Sequence, residues 1–104
     1  MTVAVVYAIF ADVHEAMRIG RTVVEERLAA CINITAPCTS IYWWEGTVEQ
    51  SDECPAILKT TPDRADALIA RLAELHSYDV PAIVAWPADH TLPVFAEWVE
   101  SEVR

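Results

Sequence analysis

The stretch Val3-Ala4-Val5-Val6-Tyr7-Ala8-Ile9-Phe10-Ala11-Asp12-Val13-His14-Glu15 joins a strand-length apolar run directly to a helix start. A continuous Val-rich run of this length reads as a strand buried on both faces. Asp12 has the chemistry of an N-cap, and Glu15 follows at capping-box spacing. Beyond it, Val13, Ala16, Met17, Gly20, Val23, Val24 and Leu28 recur at helical intervals. Arg18, Arg21, Glu25 and Glu26 occupy the other side, so an amphipathic helix of about four turns is predicted.

Working outward, Cys31-Ile32-Asn33-Ile34-Thr35 is one extended piece, and Pro37 interrupts it. Thr39 to Trp44 resumes as strand. Glu45-Gly46 resembles a hairpin dipeptide, but Thr47 and Val48 continue the strand pattern, so the polar run Gln50-Ser51-Asp52-Glu53 is expected to form the hairpin tip, with Gly46 as a bulge. Cys54 to Thr60 returns, with Pro55 at its edge. Thr61 as N-cap and Pro62 at the first helical position open a second helix. Its stripe is Ala65, Leu68, Ile69, Leu72 and Leu75, and it ends near His76. Val80 to Trp86 is a further strand, bounded by Pro81 and Pro87. Leu92-Pro93 opens a last helix to about Val103, with Phe95, Trp98 and Val99 on one side. The order β-α-β-β-α-β places the chain in the α+β class. A ferredoxin-like plan is expected, with a four-stranded antiparallel sheet, both main helices on one face and an extra C-terminal helix. Residues 1–104 read as a single domain of that plan. The other face of the sheet is left open, and with Tyr42, Trp43 and Trp44 nearby it calls for an oligomer.

Composition narrows the function. Hydrophobic residues make up 54% of the 104 residues, and four are Trp. Seven basic residues face sixteen acidic ones, a formal charge of −9. Nucleic-acid binding through a basic patch and docking on an anionic membrane are both excluded on that balance. Small cations or a basic partner are the natural ligands. No apolar run approaches the roughly 20 residues of a membrane span. The start, Met1 to Tyr7, lacks the basic opening of a signal peptide, so a cytoplasmic setting is expected. Cys31, Cys38 and Cys54 make neither a disulfide framework nor a CxxC knuckle. With only two Gly there is no phosphate-cradling loop, and no nucleophile signature is present. An acylphosphatase-like hydrolase shares the fold plan, but Ala11-Asp12 after the first strand would repel an anion. No enzymatic activity is expected.

The candidate residues each carry two readings. Cys31 is a small buried residue or a soft metal ligand. His76 caps its helix as a cation, or donates to a metal as a neutral imidazole. Tyr78 and Asp79 stand close enough to share its pocket. Glu45, Glu49, Asp52 and Glu53 form a solvated acidic hairpin, or supply oxygen ligands for weak cation binding. Tyr42, Trp43, Trp44 and Trp98 suit core and interface packing better than ring stacking with a ligand.

Four phrases resemble one family. These are Val24-Glu25-Glu26-Arg27-Leu28-Ala29-Ala30-Cys31-Ile32-Asn33-Ile34, Thr39-Ser40-Ile41-Tyr42-Trp43-Trp44-Glu45-Gly46, Lys59-Thr60, and Glu74-Leu75-His76-Ser77-Tyr78-Asp79-Val80-Pro81. In order and spanning most of the chain, they are similar to the signatures of the divalent-cation-tolerance (CutA) family. Ser77 stands where the family usually has Pro, Phe95 where it often has Tyr, and Asp89-His90-Thr91 replaces a Gly-Asn loop. The resemblance implies a ferredoxin-like protomer and a homotrimer whose sheets pair at their edges. It implies tolerance of copper and other divalent cations, with no required cofactor and Cu²⁺ as a possible ligand. It also implies kinship with the trimeric PII signalling proteins, so a PII-like module binding a small ligand at subunit clefts is the alternative. The expected metal ligands are Cys31 and His76, with help from Asp79, Glu49 and Asp52.

Overall fold

The computed structural model describes residues 2–104. Its strands are β1 (Val3–Phe10), β2 (Cys31–Ile34), β3 (Cys38–Trp44), β4 (Thr47–Thr60) and β5 (Ile83–Ala88). Its helices are α1 (Val13–Glu25), α2 (Ala65–Leu75), entered through a 3₁₀ turn at Pro62–Arg64, and α3 (Pro93–Glu102). The β-α-β-β-α-β order is present, with the second strand divided at Pro37 into β2 and β3. All pairings are antiparallel, and the sheet runs β2-β4-β1-β5 with β3 attached to β4 alone.

The local chemistry explains most boundaries. Asp12 caps α1, its Oδ1 accepting from the Glu15 N–H at 2.8 Å. The Glu15 carboxylate reaches back one residue further than a capping box requires, to the Ala11 N–H at 3.1 Å. The helix closes in a Schellman motif: the Leu28 N–H donates to Val23 O and the Arg27 N–H to Val24 O. Arg27 holds the left-handed position (φ 64°) that glycine usually fills. Its guanidinium is tied to Glu102 of α3. Thr61 precedes the 3₁₀ turn without donating or accepting a side-chain cap bond.

Three expectations are corrected. The hairpin turns at Glu45-Gly46, where φ is 49° and 80°, and not at Gln50–Glu53. Two successive positive φ values define a type I′ turn, whose twist suits a tight hairpin. Gln50–Glu53 are strand residues of the 14-residue β4. The last strand begins at Ile83, leaving Val80 to Ala82 outside it, and it takes in Pro87. β5 is an edge strand, so the missing N–H of Pro87 is tolerated. Within α1, Ile19 is fully buried while Met17 and Val13 are exposed.

Even-numbered residues of β1 (Val6, Ala8 and Phe10) pack with Leu58, Ile19, Val23, Leu68 and Leu72 under the two long helices. Gly20 lets α1 approach the sheet, because a Cβ there would meet Ile32 Cδ1 at 2.7 Å. The opposite face is covered only at one end, where α3 sets Ala96 and Val99 against Val3 and Ala30. The register then lays Trp86, Val5, Lys59 and Cys31 across the uncovered face in one row.

β4 serves three neighbours. Residues 54–60 pair with β1, 56–59 with β2, and 47–53 with β3. Cys54 and Pro55 fall in the gap between the β3 and β2 pairings. There the absent N–H of Pro55 interrupts no ladder, and its carbonyl accepts from the Thr35 N–H. The β3–β4 ribbon therefore projects beyond the sheet as two strands with exposed faces, and the molecule is drawn out to 44 × 25 × 23 Å.

Candidate functional site

The C-cap of α2 places His76 under the end of β1. Its imidazole stacks on Phe10 with centroids 5.3 Å apart. Nε2 donates to Ile9 O at 2.7 Å, and Nδ1 accepts from the Tyr78 N–H at 3.0 Å. A carbonyl can only accept and an amide N–H can only donate, so the ring is the neutral Nε2–H tautomer with both nitrogens engaged. The buried Glu15 carboxylate lies 3.6 Å from Nε2. His76 thus fastens the 76–78 turn to β1, and a metal could reach it only by displacing one of these bonds.

The fastened turn presents Tyr78, whose ring lies against His76 at 4.7 Å. Its hydroxyl donates to Glu53 Oε2 at 2.7 Å. Burial first, and then the bond to Glu53, hold the phenol well above its ordinary range, so it remains a donor. Glu53 is only 8% exposed. Between this pair and the aromatic strand lies a cleft of about 710 Å³. Ser40, Tyr42 and Trp44 form one wall, residues 77–80 and Ala82 the other, and Ile9 and Glu53 lie between them. Trp43 borders the same opening.

Strand alternation sorts the acidic hairpin. Ser40, Tyr42 and Trp44 share a ribbon face with their partners Ser51, Glu49 and Thr47, and Glu53 continues it. Asp52 belongs to the other face, with Thr39 and the Ile41–Gln50 and Trp43–Val48 pairs. Glu49 and Asp52 are therefore not brought together. Nor are Cys31 and His76. Cys31 lies in the row on the uncovered sheet face, while His76 stacks on Phe10 on the helix side. Asp79 stands on the rim of the cleft. Among the described residues, no three His, Cys, Asp or Glu side chains converge to hold a metal ion. The three cysteines are unpaired, and burial pushes the Cys54 thiol up, with smaller contributions from Cys38 and Asp12. Tyr42, Trp43, Trp44 and Trp98 are all exposed in the protomer, so none belongs to its core. From the sequence alone Glu53 belongs only to the hairpin cluster and Glu15 only to the cap. Glu15 does cap, and it also faces the imidazole.

The chain matches the model of the family described as CutA1 divalent ion tolerance protein over residues 4–102. It is 39% identical over 100 residues to the divalent-cation tolerance protein CutA of Pyrococcus horikoshii, covering 96% of this chain and 97% of that one. It is 35% identical over 100 residues to a chloroplastic Protein CutA 1 of Oryza sativa. That match covers 96% of this chain and 56% of the longer plant protein. The crystal structure of CutA1 from Oryza sativa superposes with a TM-score of 0.95 at 34% identity, covering 100% of this chain and 95% of that one. None of these names states a catalysed reaction. No helix among the described residues is long and apolar enough to cross a membrane.

Proposed function

The chain belongs to the CutA1 divalent ion tolerance protein family, and from that premise we propose that it is a homotrimeric, non-enzymatic protein that binds copper or another divalent cation. The family match across residues 4–102 carries this reading. The charge of −9 supports it, because such a field concentrates cations. The exposed ribbon and the uncovered sheet face support assembly, since a lone two-stranded ribbon is marginal in water. The three unpaired thiols suit a reducing, cytoplasmic setting.

Cys31 is the first donor to test. Its half-exposed thiol lies on the face that another copy would approach. A thiolate and an imidazole both favour Cu²⁺ over Zn²⁺. Affinity is modest, because the described residues of one protomer assemble no chelating set. Carboxylates such as Asp79, Glu49 and Asp52 add weaker, salt-sensitive sites. Titration calorimetry of the wild type, Cys31→Ser and His76→Ala with Cu²⁺ and Zn²⁺ tests the assignment. Cys31→Ser should lose the tighter copper event, and His76→Ala should bind less only where its ring nitrogens join the metal. Copper binding unchanged in both variants, or abolished in the wild type by high salt alone, refutes a named site.

A second reading has its own support. A PII-like module that senses a small ligand at subunit clefts would use the opening between the aromatic ribbon and residues 77–82. That cleft is concave, mostly apolar and floored by a few polar groups, the usual make-up of a small-molecule site.

A further inference from the structure

We propose that the cleft between the β3–β4 ribbon and residues 77–82 binds a protonated amine carried on an apolar or aromatic body. The inference deepens the small-ligand reading by naming the ligand class. It begins with Glu53. The residue is more than nine-tenths buried, and its Oε2 takes the Tyr78 hydroxyl. Among the described residues its Oε1 has no hydrogen-bond partner, and the side chain lines the cleft. That oxygen is not sealed from solvent and meets the water of the cleft, so a charged donor entering there replaces water at a carboxylate whose other oxygen is already held. The phenol cannot be that donor twice, having one proton to give.

The surroundings select the donor's charge. The charged residues lining the cleft are Glu53 and Asp79, with neither Lys nor Arg among them. Glu49 stands on the same ribbon face, opposite Tyr42. Phosphates and carboxylates are therefore repelled. A bare divalent ion is poorly served too, because it would surrender its water for a single buried carboxylate. An ammonium group asks for less. It donates to Glu53 Oε1, while Tyr42 and Trp44 offer ring faces, and cations are attracted to such faces. The walls are firm where the charge would sit, since Tyr78 packs on His76 and His76 on Phe10. A volume of about 710 Å³ admits an amine with a ring or a chain attached.

The test uses the whole protein in its solution assembly, with a chelator present so that metal plays no part. The probe is 2-phenylethylamine, protonated at neutral pH, set against 2-phenylethanol, which keeps the shape and drops the charge. Calorimetry and tryptophan fluorescence report binding. The amine should bind at least about tenfold more tightly than the alcohol, as expected when a charge-assisted hydrogen bond is lost. Glu53→Gln, with its fold checked by circular dichroism, should remove that preference, and Trp44→Leu should weaken the amine several-fold. Equal affinity for amine and alcohol overturns the proposal while leaving a small-ligand cleft standing. Binding of neither overturns both, as it would if a neighbouring copy filled the opening. If Glu53→Gln does not fold, the wild-type comparison of amine and alcohol still decides.

Discussion

Trp43 offers the sharpest test of assembly, because the protomer leaves most of its ring uncovered. It is 73% exposed, and it leaves the ribbon on the face with Ile41 and Val48, away from Tyr42 and Trp44. A whole Trp presents on the order of 250 Å², so roughly 180 Å² of this one awaits cover. At about 25 cal/mol per Å², complete cover by a neighbouring copy stabilises the assembly by about 4.5 kcal/mol per protomer. Half that cover still makes Trp43→Ala cost about 2 kcal/mol at each interface. At about 1.4 kcal/mol per factor of ten, each contact weakens roughly 30-fold. Sedimentation velocity over a micromolar dilution series reads the effect. The wild type should hold near three times the 11.6 kDa chain mass throughout, and the variant should fall to monomer within the series. Its far-ultraviolet circular dichroism should stay unchanged, since the ring supports no part of the protomer core. A variant trimer as tight as the wild type, or loss of helix in the monomer, would refute the reasoning.

Two further outcomes rest on the protomer itself. Gly20→Ala should destabilise by no more than about 1–2 kcal/mol in urea titration, because the new Cβ crowds Ile32 at Cδ1 (2.7 Å) and Cγ2 (3.1 Å) while alanine gains roughly 1 kcal/mol of helix propensity, and Ile32→Val should recover part of the loss. Glu26 accepts two bonds from Arg71, Nε at 2.9 Å and Nη2 at 2.8 Å, and this pairing lowers its carboxyl below the ordinary range. A lowered folded value means that the pair's contribution is complete above the unfolded pKa of about 4.3 and disappears as pH falls below it. The melting temperature of Glu26→Gln should therefore trail the wild type at neutral pH and converge with it in acid.

Much of this fold was legible because the protomer core obeys its own periodicity. The apolar run of β1, the Asp12 cap, the α2 stripe of Leu68 and Leu72, and the proline at the α2 entry are local signals that tertiary contacts reinforce. The hairpin failed for the opposite reason. Gln50, Ser51, Asp52 and Glu53 look like a turn because all four are polar, and most of the ribbon meets no protomer core to impose alternation. The real turn was marked by a single glycine after a residue that seldom takes positive φ, and Glu45 carries none of the Asn or Asp preference that would have announced it. The α1 stripe differs at two exposed side chains, Val13 and Met17, since Met17 and Ile19 fit helical spacing about equally until the sheet selects Ile19.

The site was less legible, since ligand sets are made by topology and not by sequence distance. Cys31 and His76 were plausible partners as donors, but a sheet stands between them. Tyr78 was expected beside His76 and is there, because two residues after a C-cap cannot travel far. Glu53 could be linked to Tyr78 only after the true hairpin turn was known, because placing the tip at Gln50–Glu53 takes Glu53 out of the strand. Moving that turn to Glu45-Gly46 extends β4, fixes the alternation and sends Glu53 to the Tyr42 face. Cys31, in turn, shares its row with Trp86 and Val5 on the sheet face that lacks cover. The thiol proposed to meet copper and the apolar surface proposed to meet another copy are thus one surface. Copper affinity and assembly state then have to be measured on the same sample, since either one alters the other's access to Cys31.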